Sequence, residues 1–287
     1  KEICRYHRYR PFAVKMFSPE DTVVTVTLAP RQLYRFRLHR AKIALIIKED
    51  IRHQRFSALK DYLELVPGEC PHQYFQDGLR ASQAPIRFSK TEMIVRSKQN
   101  FANRLAAYAL QGAGTNTGRH EMIQRFMLAN DTVTVAAEVP VYIRREDLAH
   151  MQTQLGFELY RKSAAGDLEP IPAEELPRLI TGHIDAVQIR NGQIHILDYK
   201  PNAAKEKPIE QLTLYALALS RLTGLRLFEF KCAWFDEKDY FEFYPLHVVY
   251  KRRRGRARKR IATKEGIYEV NQTSARVGSL KPITGGK

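Results

Sequence analysis

Two aspartates and a lysine stand out because a short turn between them decides where they face. Asn191-Gly192 separates two alternating apolar runs, residues 182–190 and 193–200, and this dipeptide in that setting specifies a two-residue type I′ hairpin. Such a turn pairs Arg190 with Gln193 and sets the register outward, so that Asp185 falls opposite Asp198 and His183 opposite Lys200. Val187, Ile189, Ile194 and Ile196 share that face. Two carboxylates with Cβ atoms about 4.5–5.5 Å apart therefore end an apolar, buried surface. Like charges in so low a dielectric repel far more strongly than in water. A hard divalent cation is the simplest compensation, since Mg2+ takes one or two carboxylates and keeps several waters. Lys200 lies on the same face two residues beyond Asp198, where an ammonium can stabilise charge developing on a phosphate or on a water-derived nucleophile.

The elements that must position them follow from periodicity and punctuation. A helix is predicted over residues 208–223, then a second hairpin of residues 228–235 and 240–244 turning at residues 236–239. Before the first hairpin come an irregular stretch with Pro170, Pro172 and Pro177, a strand over residues 132–143, and a helix from near Thr117 to before Asp131. A glycine-rich break at residues 111–116 precedes that helix. Ser89-Lys90-Thr91-Glu92 has the form of a capping box with Phe88 as its staple, predicting a further helix to about Leu110. Residues 1–30 suggest a short strand, Val23 to Thr27, among prolines, and residues 67–88 a loop. In residues 31–66, Leu33, Phe36, Leu38, Ile43, Ile46 and Ile47 at helical spacing predict one or two basic amphipathic helices that pack on the rest. The order α-α-β-ββ-α-ββ makes an α/β protein, a mixed central sheet flanked by helices. It divides into a basic, mainly helical N-terminal extension (residues 1–88), a core (89–250) and a basic C-terminal arm (251–287). No repeat of 20–50 residues is visible.

Three stretches in order, Gly182-x-x-Asp185, Asp198-Tyr199-Lys200 and Gln211-Leu212-Thr213-Leu214-Tyr215, resemble the GxxD, DxK and QxxxY marks of the PD-(D/E)XK nuclease superfamily, specifically its RecB-like branch. The resemblance covers residues 115–245 and implies a restriction-endonuclease-like core that hydrolyses phosphodiester bonds. It implies that His120, in Thr117-Gly118-Arg119-His120, is a metal-binding histidine, although Asn116 stands where a glycine is usual. It implies that Glu138 is the acidic residue of the first core strand. Gln211 would support the active site or a substrate phosphate, and Tyr215 would pack or hydrogen-bond beside it. His120, Asp185, Asp198 and the Tyr199 backbone carbonyl would hold one or two Mg2+ or Mn2+ ions, because oxygen-rich ligation with one imidazole favours these over zinc. Some relatives carry a four-cysteine iron–sulfur cluster. Here only Cys70 lies suitably before the core and no cysteine trio follows Tyr215, so no cluster is expected. The glycine-rich residues 112–118 lack the ending of a P-loop, so no ATPase motor is encoded. DNA is the favoured substrate. An RNA-cleaving effector with the same site and a retired nucleic-acid-binding subunit stay open, with intact Asp185, Asp198 and Lys200 counting against the latter.

Charge points the same way. The 287 residues carry 47 Lys plus Arg against 31 Asp plus Glu, a formal net charge of +16, and such an excess draws an anionic partner, most often nucleic acid. Half of it sits in residues 251–260: Lys251, Arg252, Arg253, Arg254, Arg256, Arg258, Lys259 and Arg260 read as an arm that tracks phosphates without reading bases. Tyr34-Arg35-Phe36-Arg37 alternates aromatic and basic residues, a pattern able to stack single-stranded bases, although packing suits the two aromatics better. At 44% hydrophobic and 27% charged, the chain is not wholly disordered or collagen-like. No apolar run approaches the roughly 18 residues of a membrane span, and the first residues lack the apolar segment of a secretory signal. Cys4, Cys70 and Cys232 are far apart with no CxxC, which places the chain in a reducing intracellular compartment, cytoplasmic or nucleoid-associated. Membership of a larger repair or defence complex is compatible with all of this.

Overall fold

The computed structural model describes residues 22–28, 34–88, 94–111, 118–250 and 267–270. The basic run at 251–260, the glycine-rich residues 112–117 and the capping box expected at Ser89 lie outside the described residues. Along the chain come β1 (Val23–Leu28), β2 (Tyr34–His39), α1 (Arg40–Glu49), α2 (Ser57–Glu69), α3 (Tyr74–Asp77), β3 (Leu79–Arg80), β4 (Ile94–Ser97), α4 (Phe101–Leu110), α5 (Arg119–Asn130) and β5 (Thr134–Arg144). Then follow α6 (Arg145–Leu155), the small hairpin β6 (Tyr160–Lys162) and β7 (Leu168–Pro170), β8 (Leu179–Arg190), β9 (Gln193–Tyr199), α7 (Ile209–Thr223), β10 (Phe230–Phe235), β11 (Tyr240–Phe243), α8 (Leu246–Val249) and β12 (Ile267–Val270). One mixed sheet runs β1-β2-β5-β8-β9-β10-β11-β4-β12, with β3 also beside β8. β9 and β10 are parallel, so the chain must cross over between them, and α7 is that crossover.

The hairpin turn forms as its residues dictate, with Asn191 at φ 52° and Gly192 at φ 69°. The register runs from Arg190↔Gln193 to Ala186↔Leu197. There the two strands part. His183 pairs with Pro140 of β5, and the Lys200 N–H donates to the Phe235 carbonyl of β10 at 2.9 Å. The ladder ends one residue short of Asp185 and Asp198, so neither their pairing nor that of His183 with Lys200, both expected from the turn, is among its pairs. Each strand end completes its main-chain bonds with its outer neighbour, and the wedge between them opens space at Asp185 and Asp198.

The two sheet faces are covered differently. α7 is apolar on nearly every side, with Ile209 and residues 212–219 buried, and it packs across β5, β9, β10 and α2, the pattern of a core helix. On the other face α4 and α5 bring Leu105, Ala106, Ile123 and Met127 onto Ala186, Leu197 and Ala233.

Four local expectations need correction. Residues 67–88, expected to be a loop, hold the end of α2, α3 and β3, the last paired with β8. Tyr34–His39 is a strand, not helix, pairing with β5 through Arg37↔Ala137. Phe36 and Leu38 are buried while Arg35 stays exposed, a period of two obscured by the helical spacing of α1 that follows. Ile94–Ser97 is a strand on β11, so the helix predicted from Ser89 starts only at Phe101, where the Asn100 side chain accepts the Ala102 N–H at 3.0 Å. The stretch read as irregular begins with α6, whose buried residues are Leu148 and Met151, too thin an apolar stripe to register.

Beneath the α4 side of the sheet, His195 is 2% exposed. Burial first, then Arg190, Lys231 and Lys98, hold its pKa well below that of a free imidazole. Folded protein therefore binds fewer protons than unfolded chain below about pH 6.5. This contribution to stability is full above that pH and is lost as pH falls. His195→Gln is expected to flatten the acid-side fall in thermal midpoint, measured by melting between about pH 7 and pH 5; an unchanged slope would reject the assignment.

Candidate active site

The chemistry-bearing side chains gather where β8 and β9 separate. The Tyr199 N–H donates to Asp185 Oδ2 at 2.9 Å, so a carboxylate takes the place of a ladder carbonyl. On the other side, Ala137↔Ala186 and Val139↔Ile184 bracket Asp185 opposite Glu138 of β5. Asp198 follows directly on Leu197, the last residue paired with β8. Glu138, Asp185 and Asp198 thus occupy one level on three adjacent strands and line one cleft of about 780 Å³. Glu138 reaches it with φ 52°, a left-handed backbone uncommon outside glycine that costs on the order of 1–3 kcal/mol. Its Oε1 accepts from Gln124 Nε2 at 2.5 Å.

Two cationic groups answer these acids. Lys200 Nζ stands 2.8 Å from Asp198 Oδ2. His120, in the first turn of α5, places Nδ1 3.4 Å from Asp185 Oδ2 with its ring edge-on to Tyr199. Burial works to raise all three carboxyl pKa values. At Asp185 the His120 contact, the Tyr199 N–H and Lys200 overcome it, and the pKa falls below the usual range. At Asp198, burial and then the Asp185 charge prevail and the pKa rises; burial and Asp185 do the same to Glu138. Lys200, despite burial, is held above the ordinary lysine value by Asp198, and His120 is raised by its bond to Asp185.

Asp198 Oδ2 is buried, and its close cationic neighbour is the Lys200 ammonium. A buried carboxylate beside a second carboxylate and an imidazole is a donor set that suits a hard divalent ion. Among the described residues no three His, Cys, Asp or Glu side chains already surround one point.

α7 contributes Gln211 and Tyr215, one helical turn apart, with Gln211 Nε2 donating to the Tyr215 hydroxyl at 2.8 Å. Tyr215 explains the glycine at 182. A Cβ there would stand 2.2 Å from Tyr215 Cε1, closer than any real contact. Gly182→Ala must displace a buried ring, at a cost of about 1–3 kcal/mol, and uncouple Tyr215 from Gln211. A lower thermal midpoint is expected, partly restored by adding Tyr215→Leu; the absence of such restoration in the double variant would refute the clash.

All seven side chains singled out in the sequence (His120, Glu138, Asp185, Asp198, Lys200, Gln211 and Tyr215) line this one cleft. Tyr199 meets it through its N–H, while its hydroxyl donates to Glu237 at 3.0 Å. The basic residues at 251–260 lie outside the described residues. Sequence reasoning missed Glu121 and Gln124, which follow His120 by one and four positions on α5. It also missed the placement of Arg35 and Arg37 in the cleft wall, because the strand that carries them was read as helix.

A family model for the PD-(D/E)XK nuclease superfamily matches residues 64–274, most of the chain, and the chain belongs to that superfamily. Nucleases of this kind generally hydrolyse phosphodiester bonds with divalent metal ions. No curated protein and no solved structure matches the chain. Among the described residues no helix is long and apolar enough to cross a membrane.

Proposed function

We propose that this chain is a RecB-like, Mg2+- or Mn2+-dependent deoxyribonuclease. The observation that carries the reading is the pair Asp185 and Asp198 on neighbouring strands, with Lys200 2.8 Å from Asp198. His120, Asp185, Asp198 and the Tyr199 carbonyl would hold the metal, which when bound polarises the scissile phosphate and acidifies water. Lys200, kept protonated by Asp198, stabilises negative charge on the reacting phosphate and orients the attacking water. Glu138 accepts from Gln124, and burial and then Asp185 keep its proton affinity high, so that it can take up a proton. Gln211 and Tyr215, tied to each other, form the wall against which the sugar-phosphate rests. The basic run at 251–260 supplies non-specific phosphate attraction through its charge. The reading includes no iron–sulfur cluster, since only Cys70 lies suitably before the core and no cysteine trio follows Tyr215.

The test is cleavage of end-labelled linear single- and double-stranded DNA, closed circles of each, and an RNA oligomer. Each is run with Mg2+, Mn2+ or EDTA, comparing the unaltered chain with Asp198→Ala and Lys200→Ala. Metal-dependent cutting of DNA that both substitutions abolish is expected. Preferential cutting of RNA would move the substrate class, and silence on every substrate with binding intact would make the chain a binding subunit.

A further inference from the structure

Outside the acidic centre, the same cleft has a wall of opposite charge contributed by β2. Three guanidinium groups converge on one carboxylate oxygen, Glu121 Oε1: Arg35 Nη1 at 2.5 Å, Arg37 Nη2 at 2.7 Å and Arg125 Nη1 at 3.8 Å. One acid against three bases leaves an excess of positive charge. Arg37 is also nearly enclosed, 5% exposed, and its Nη1 is buried with no hydrogen-bond partner. A buried, charged donor left unfilled is expensive, and its environment lowers the Arg37 pKa, chiefly through desolvation. Arg35, Arg37 and Glu121 all line the cleft that holds Asp185, Asp198 and Lys200.

β2 holds this arrangement rigidly. Phe36 and Leu38 are buried in the core and fix the strand, so the alternating Arg35 and Arg37 project together toward α5. Guanidinium forks bind phosphate oxygens bidentately and strongly. Glu121 keeps the two arginines close in the absence of a ligand, at an oxygen that a phosphate can replace.

We propose that Arg35 and Arg37 form a clamp for a backbone phosphate of the substrate strand, elsewhere on the strand than the phosphate that is cleaved, with Glu121 as the acid that the phosphate displaces. The clamp rests on the nuclease reading for its substrate. It makes β2, which precedes the family-matched residues 64–274, part of the substrate cleft and not a cover for the sheet.

The experiment measures binding of fluorescent single- and double-stranded oligonucleotides by anisotropy across a KCl series. The full chain carries Asp198→Asn to prevent cutting, alone or with Arg35→Gln, Arg37→Gln, Glu121→Gln, or Arg221→Gln as control. Arg221 is exposed and pairs with Asp147 away from the cleft. Arg35→Gln and Arg37→Gln are each expected to weaken binding roughly tenfold. Each should also lower the slope of log affinity against log salt by about 0.7–0.9. Glu121→Gln is expected to tighten binding, whereas a merely structural Glu121 would give weaker binding and a lower melting midpoint. Arg37 is buried, so the half-exposed Arg35→Gln carries the test if Arg37→Gln fails to fold. Salt-sensitive binding by the parent that Arg35→Gln and Glu121→Gln leave unchanged overturns the clamp alone. No binding by the parent overturns clamp and nuclease together. Cutting by the unaltered chain that survives Asp198→Ala, with Arg35→Gln still weakening binding, overturns the active-site assignment and leaves the clamp standing.

Discussion

Asp198→Asn is expected to abolish cutting and at the same time to raise the stability of the metal-free protein. The loss should be on the order of 10³ in rate, because both the oxygen donated to the metal and the charge that holds Lys200 disappear. The gain follows from the cost of the native residue. Asp198 is 3% exposed, next to Asp185, and its pKa is raised by burial and by that neighbour. A carboxyl whose folded pKa lies above its unfolded value near 3.9 costs stability as pH rises past that value. The advantage of asparagine is therefore largest above neutral pH and vanishes near pH 4, where Asp198 is already protonated. Thermal melts in EDTA at two pH values read this directly. A lower midpoint for Asp198→Asn at alkaline pH would show that the carboxylate is structural. A divalent ion should raise the midpoint of the unaltered chain and leave that of Asp198→Asn nearly unmoved, since ligand bound only by the folded state adds to its stability.

Lys200→Met should give the opposite stability sign with a comparable loss of function. Lys200 Nζ lies 2.8 Å from Asp198, and its removal leaves adjacent buried carboxylates with one compensating charge fewer. The metal-free midpoint is expected to fall, and to fall further as pH rises and the carboxyls ionise. The single-turnover rate should drop by about 10²–10³ with little change in KM, the pattern of an interaction made in the transition state. Lys200→Arg should restore much of the stability but not the rate, because a planar guanidinium cannot place its charge where a compact ammonium sits. A Lys200→Met variant that cuts normally would remove this residue from the mechanism. The two substitutions together separate a site kept for function from one kept for folding: in the first case loss of activity accompanies gain of stability.

The clustered acids were legible in the sequence for a reason confined to local geometry. Asn191-Gly192 permits positive φ at both turn positions, so the register of the hairpin as far as Ala186↔Leu197, one residue short of Asp185 and Asp198, is set by two residues and strand alternation. The helix carrying Gln211 and Tyr215 was equally plain, because its near-continuous apolar character matches complete burial. The sequence also carried the charge excess and the order of the three motifs that mark the superfamily.

What the turn could not convey is how far the ladder runs. Its end at Ala186↔Leu197 comes where the Tyr199 N–H donates to the Asp185 carboxylate, between outer strands β5 and β10 that come from distant parts of the chain. Distant partners likewise put Tyr34–His39 and Ile94–Ser97 into strands: each short segment of mixed periodicity lies between two other strands of the sheet and takes their structure. Glu138 adopts its left-handed backbone only because the surrounding sheet holds it there. The joining of Arg35 and Arg37 to Glu121, 84 or more residues away, is likewise a product of packing β2 beside β5 under α5. Local pattern determined which residues could do chemistry, while long-range hydrogen bonding and burial decided which of them share a cleft.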